Sequence, residues 1–164
     1  MTRVSAGLVA MAATCAGMIA CGGGVDRQRF DRIYTTGKAL QAEVQSSGSG
    51  PVHAELRDRL KAFDAEIDAV RDHTIGIREA DALKAYAEAA DAYRYFLRFR
   101  TLDLEEGTGQ IVVKGPNLEV ATRYKLPVDS AGGNRSVNRA QAITILLQAA
   151  EQHLADGNRI AGRQ

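Results

Sequence analysis

Apolar residues in this 164-residue chain recur at steps of three and four over four separate stretches, a spacing that restricts its body to helices. In the first stretch Phe30, Ile33, Tyr34, Gly37, Leu40 and Val44 fall on one side. Ser46 to Gly50 breaks the pattern, and Pro51 stands where the first turn of a second helix tolerates it. Val52, Leu56, Leu60, Phe63, Ile67 and Val70 then form a nearly unbroken stripe. A short connection around Thr74 and Gly76 makes the second helix and the third antiparallel neighbours.

The third helix is predicted from about Ile77 to Glu105. Leu83, Tyr86, Ala87, Ala90, Tyr93, Leu97 and Leu104 make its main stripe. Tyr95, Phe99 and Leu102 make a second stripe on another face. Two apolar faces suit a helix at the centre of its bundle, or one that shows a face to a partner. We favour the buried reading. The fourth helix follows Gly132-Gly133, with Ser136 or Asn138 as its cap. It carries Val137, Ala140, Ile143, Leu147, Ala150 and Leu154, and is expected to stop at Gly157. The expected fold is therefore all-α: an up-down antiparallel helical bundle of about four long helices, with an irregular connection before the last.

That connection, residues 106–134, reads two ways. Ile111-Val112-Val113 is β-branched, and Leu118, Val120, Thr122 and Tyr124 alternate as a strand would. Asn117 as an N-cap, with Val120 and Tyr124 one turn apart, fits a helix equally. The expectation is one short helix packed over the end of the bundle. The scarcity of proline, with three residues, and the absence of tryptophan agree with a helical body.

The beginning of the chain follows different rules. Arg3 is the one charge before Cys21, Val4 to Ala20 are largely apolar, and Gly22-Gly23-Gly24 follows the cysteine. A positive start, an apolar run and a small-residue end describe an export signal. The run is shorter than the roughly 20 apolar residues of a membrane span, and glycine, serine and threonine dilute it. Ordinary cleavage after Ala20 would leave the large Met18 three places back. Met18-Ile19-Ala20-Cys21 instead resembles the lipobox of bacterial lipoproteins, with Met for the usual Leu and Ile for the usual Ala or Ser. Cys15 fits less well, since Thr14 precedes it. The resemblance implies a signal peptide at 1–20 and a diacylglyceryl thioether on Cys21. The lipidated cysteine and a flexible glycine tether would occupy 21–25, and the helical bundle domain 26–164. One acyl chain anchors only marginally, at about 0.8 kcal/mol per buried CH₂. The two or three chains of that family would hold the protein on a membrane. The family's sorting rule, with Gly22 after the cysteine, implies the outer membrane, facing the periplasm.

Of the 21 basic residues only Arg3 precedes Cys21, and all 20 acidic residues follow it, so the chain from Cys21 onward is balanced. Nucleic-acid binders carry a basic surplus, so that partner class is not expected. Beyond Cys21 the domain has no cysteine, so it must rely on its apolar core rather than on internal disulfides.

Candidate chemistry is sparse. Asp64, Asp68 and Asp72 recur at i, i+4 and i+8, a spacing that could present carboxylates to a hard cation. It fits better as a solvated face offset by Lys61 and Arg71. His53, His73 and His153 form neither a Glu-x-x-His pair nor a covalent haem motif. No nucleophile elbow, P-loop or EF-hand loop occurs. The strongest candidate is the ridge of Arg94 and Arg98 beside Tyr95 and Phe99, where arginine with flanking aromatics suits a protein partner or a planar anion. The expected function is non-enzymatic, without a cofactor or metal: a lipid-anchored interaction or scaffold module of the bacterial cell envelope, meeting another envelope protein. The alternative is a bundle that holds a small molecule, haem or metal between its helices.

Overall fold

The computed structural model describes residues 27–47, 54–71, 73, 76–104, 108–130 and 133–163. Cys21, the signal region, His53 and Asp72 lie outside the described residues. The elements run α1 (Arg27–Ser47), α2 (Ala54–Arg71), α3 (Ile77–Thr101), β1 (Gln110–Val112), α4 (Pro116–Arg123), β2 (Val128–Asp129), β3 (Ser136–Asn138) and α5 (Arg139–Ile160). The body is mostly helical, with a small antiparallel sheet of order β1-β3-β2.

Helices α1 and α2 bury the stripes read from their spacing. Phe30, Ile33, Leu40 and Val44 of α1 are buried, as are Leu56, Leu60, Phe63, Ile67 and Val70 of α2. α3 is buried on more than one side and makes its most extensive contact with α5. Small residues allow that approach: Ala82, Ala85, Ala89 and Ala92 of α3 and Gly157 of α5 are all buried. A Cβ on Gly157 would stand 2.8 Å from Cδ1 of Tyr86, inside van der Waals contact, so only glycine fits beneath that ring. Tyr86 also stacks on Phe30 of α1 (centroids 6.1 Å, 26°) and meets Phe63 of α2 edge-on (6.2 Å, 85°). One aromatic cluster thus ties three helices to α5.

The contacts also order the ends of the molecule. Residues 86, 88 and 102 of the α3 segment meet 158, 153 and 139 of α5. Residues 31 and 45 of α1 meet 163 and 151. Both helices therefore run against α5, and their first turns lie at the end where α5 finishes. The sheet lies at the other end, where β3 leads directly into α5.

In the sheet Ile111 faces Val137, and Val128 flanks Val137 on the other side; Ile111, Val113 and Val137 are buried. Asn138 closes β3 and caps α5, its Oδ1 accepting a hydrogen bond from the Gln141 amide at 3.0 Å. Gly115, at φ 50°, makes the turn before Pro116 opens α4. Two helices end in the same motif. At the end of α4 the Lys125 amide donates to the Thr122 carbonyl (3.2 Å) and the Leu126 amide to Ala121 (2.8 Å). At the end of α5 Gly162 donates to Arg159 (3.1 Å) and Arg163 to Asn158 (2.7 Å).

Several expectations need correction. The body is not purely helical, because 106–134 contributes strands as well as the short helix, and β3 takes Ser136 to Asn138 from the fourth helix. Val137 is accordingly a buried strand residue, and Asn138 rather than Ser136 is the cap. α5 passes through Gly157, and Gly162 supplies the terminating left-handed residue at φ 71°. α3 ends at Thr101, leaving Leu104 42% exposed rather than in the core stripe. Ala140 is exposed, while Ala142, Leu146, Ala150 and Leu154 carry the buried face of α5. On the second stripe of α3 Phe99 is fully buried, and Tyr95 and Leu102 pack against the core.

Candidate functional site

The arginine–aromatic ridge does not survive as one surface. Phe99 is 0% exposed, because its face of α3 turns into the core, so it is unavailable to a partner. Tyr95 is half-buried and meets Tyr124, just past α4, edge-on at 5.9 Å and 65°. Arg94 is bound within the molecule: Nη2 donates to Oδ1 and Oδ2 of Asp64 on α2 at 3.0 Å each, and Nη1 donates to Asp91 Oδ1. Arg98 alone of the four is exposed and without such a contact to another helix among the described residues.

Arg94 lies in a groove of ≈ 330 Å³ between α2 and α3, lined by Asp64, Ile67, Asp68, Arg71, Ala87, Ala90, Asp91 and Arg94. Heptad-like spacing puts these groups there. Asp64 and Asp68 are one turn apart on α2, while Ala87, Asp91 and Arg94 follow one face of α3. The floor is aliphatic and the walls are charged. Arg71 Nη1 donates to Asp68 Oδ1 at 2.8 Å, and Arg123 of α4 reaches Asp91 Oδ2 at 3.3 Å. Arg123 also lies over the Tyr124 ring, 5.4 Å from its centroid. Partial desolvation opposes the charge on Arg94, but the two carboxylates outweigh it and hold the guanidinium more firmly protonated than usual.

Ion pairs this exposed are worth about 0.2–1 kcal/mol each. Their effect is to neutralise one another: three carboxylates meet three guanidiniums across α2, α3 and α4. The arrangement orients helices, and it leaves no uncompensated charge within the groove to attract an ion. The Asp64/Asp68 face is thus offset as the spacing suggested, although Lys61 pairs with Asp58 (3.6 Å) and not with it. Among the described residues, no three His, Cys, Asp or Glu side chains gather as metal ligands would.

His73 is exposed, and His153 Nδ1 lies 3.4 Å from Glu88 Oε2, joining α5 to α3. Sequence reasoning missed Asp91, Arg123 and Tyr124. The i, i+3 pairing of Asp91 with Arg94 was available as a signal, whereas the reach of Arg123 depends on how α4 docks. Comparison of the chain with known protein families, curated proteins and solved structures gave no match. No helix among the described residues is long and apolar enough to cross a membrane.

Proposed function

We propose that this protein is a non-enzymatic, lipid-anchored interaction or scaffold module of the bacterial cell envelope, tethered through Cys21. The observation that carries the reading is Met18-Ile19-Ala20-Cys21, followed at once by three glycines and a charged domain. The domain supports it indirectly, since the charges of its α2–α3 groove compensate one another instead of converging on a reactant. We read α1, α2, α3 and α5 as an up-down bundle that presents surfaces, with the outer membrane as the anchoring site. The test is labelling of expressing cells with a palmitate analogue. The wild-type chain should take the label and Cys21→Ser should not; equal labelling of both would refute the anchor.

Arg98 is the remaining part of the arginine ridge that can meet an envelope partner. Arg98→Glu should weaken crosslinking to that partner in membranes while leaving helical circular dichroism unchanged, and undiminished crosslinking would remove the ridge from the interface. A second reading, a small ligand held between helices, is favoured by the size of the α2–α3 groove, which lies within the ordinary range for such sites. Native mass spectrometry of the purified domain would reveal such a ligand as added mass lost on denaturation.

A further inference from the structure

Among the described residues, Ile77, Leu104 and Val128 are the exposed large apolar side chains, at 85%, 42% and 37%. Leu104 and Val128 belong to the end that holds the sheet. Ile77 opens α3 at the opposite end, where α1 begins and α5 finishes. Tyr86 stacks on Phe30, so the two helices can be set level at that contact. Ile77 lies nine residues before Tyr86, and Arg27 three before Phe30. At about 1.5 Å per residue, α3 projects roughly 9 Å beyond the start of α1. Its first residue, Ile77, is exposed beyond the start of α1 at that end of the bundle.

The chain length before α1 decides what meets that end. Six residue steps separate Cys21 from Arg27, a reach of about 20 Å at full extension. An acylated Cys21 therefore holds the α1 end within that distance of the bilayer, and the sheet end lies about 33 Å from the α1 end along the 22 residues of α5. Resting on the proposed anchor, we infer that the Ile77 end is a membrane-contact surface, with the Ile77 side chain inserted among lipid headgroups and upper acyl chains. Nearby charges are mixed and do not favour an anionic surface in particular: Arg71 is paired with Asp68, Arg159 with Asp156 and Arg163 with Asp31, and the exposed Arg78 beside Ile77 has the exposed Asp81 one turn on. The attraction is apolar, and the sheet end is left facing away from the membrane.

The experiment uses the lipidated chain from Cys21 onward on phosphatidylcholine vesicles containing acyl-chain spin-labelled quencher lipid. The domain has no cysteine besides Cys21, so Ile77→Cys and Leu104→Cys each provide one site for an environment-sensitive dye. Both sites are exposed, and unchanged circular dichroism would verify the fold. Dye at 77 should show blue-shifted emission and several-fold stronger quenching than dye at 104. It should do so equally when part of the phosphatidylcholine is replaced by phosphatidylglycerol. Vesicle-bound protein quenched equally at both positions, or more at 104, would overturn the orientation alone. Quenching that requires phosphatidylglycerol would overturn its apolar basis. Protein that fails to float with the vesicles would overturn the anchor itself, and this inference with it.

Discussion

Two tyrosines on α3 bury their rings almost equally and differ in a single hydrogen bond. Tyr86 and Tyr93 are both 0% exposed, but the Tyr86 hydroxyl donates to Asn158 Oδ1 at 2.9 Å, whereas the Tyr93 hydroxyl has no partner among the described residues. A buried hydroxyl without a partner gives up its water for nothing, while a paired one recovers most of that cost. The same substitution should therefore act differently at the two positions. Tyr86→Phe strands the Asn158 carbonyl oxygen and should destabilise the domain by about 1–2 kcal/mol. Tyr93→Phe removes an unsatisfied group with no loss of ring packing, and should be neutral or stabilising by up to about 1 kcal/mol. Urea denaturation followed by circular dichroism measures both; equal losses would show that Tyr93 has a partner in solution.

At the scale of elements, legibility followed one-sidedness. α1 and α2 each bury a single stripe, so Phe30 to Val44 and Leu56 to Val70 could be read directly from spacing. α3 is buried on several faces, and its alanines give hydropathy little contrast. The spacing therefore located the helix but could not separate its core-facing Phe99 from the exposed Arg98 ridge. The β-branched residues of β1 were visible, but β2 and β3 are two and three residues long, and β2 is exposed at both residues and held by its pairing with β3. Strands that short leave almost no periodicity to read. Glycines misled for a related reason: Gly157 serves close packing and Gly162 termination, and composition does not distinguish the two roles. The end of α4 shows the rule by contrast, since Lys125 takes the left-handed position at φ 52° that Gly162 takes in α5. A side chain there is strained by its Cβ. Lys125→Gly should stabilise the domain by about 0.5–1 kcal/mol, a little less than the strain relieved because glycine also loosens the unfolded chain. Thermal unfolding measures the gain, and a fall in melting temperature would mean that the lysine side chain holds the α4 end in place.

For the molecule as a whole, the two buried tyrosines of α3, Tyr86 and Tyr93, set an upper pH limit on the fold. Burial pushes the phenol of Tyr86 well above its ordinary value of 10.0, with nearby Arg163 opposing the shift in part. Burial pushes Tyr93 up as well, and Glu151 adds to the effect. A raised folded-state value means that between pH 10 and that value the folded chain holds protons the unfolded chain has released. Stability from these groups is therefore fully present below about pH 10 and is lost as pH climbs through the raised folded values. The phenolates of Tyr86 and Tyr93 should not appear in an intact fold; they should form as it opens. Tyrosinate absorbance and helical circular dichroism, followed together through an alkaline titration, should show a late absorbance step that coincides with loss of helix. Tyr93→Phe removes one of the two ionisations that accompany unfolding without removing a hydrogen bond, so its transition should move to higher pH. A late absorbance step that precedes helix loss, or a Tyr93→Phe transition unmoved, would show that solvent reaches these rings in the folded state.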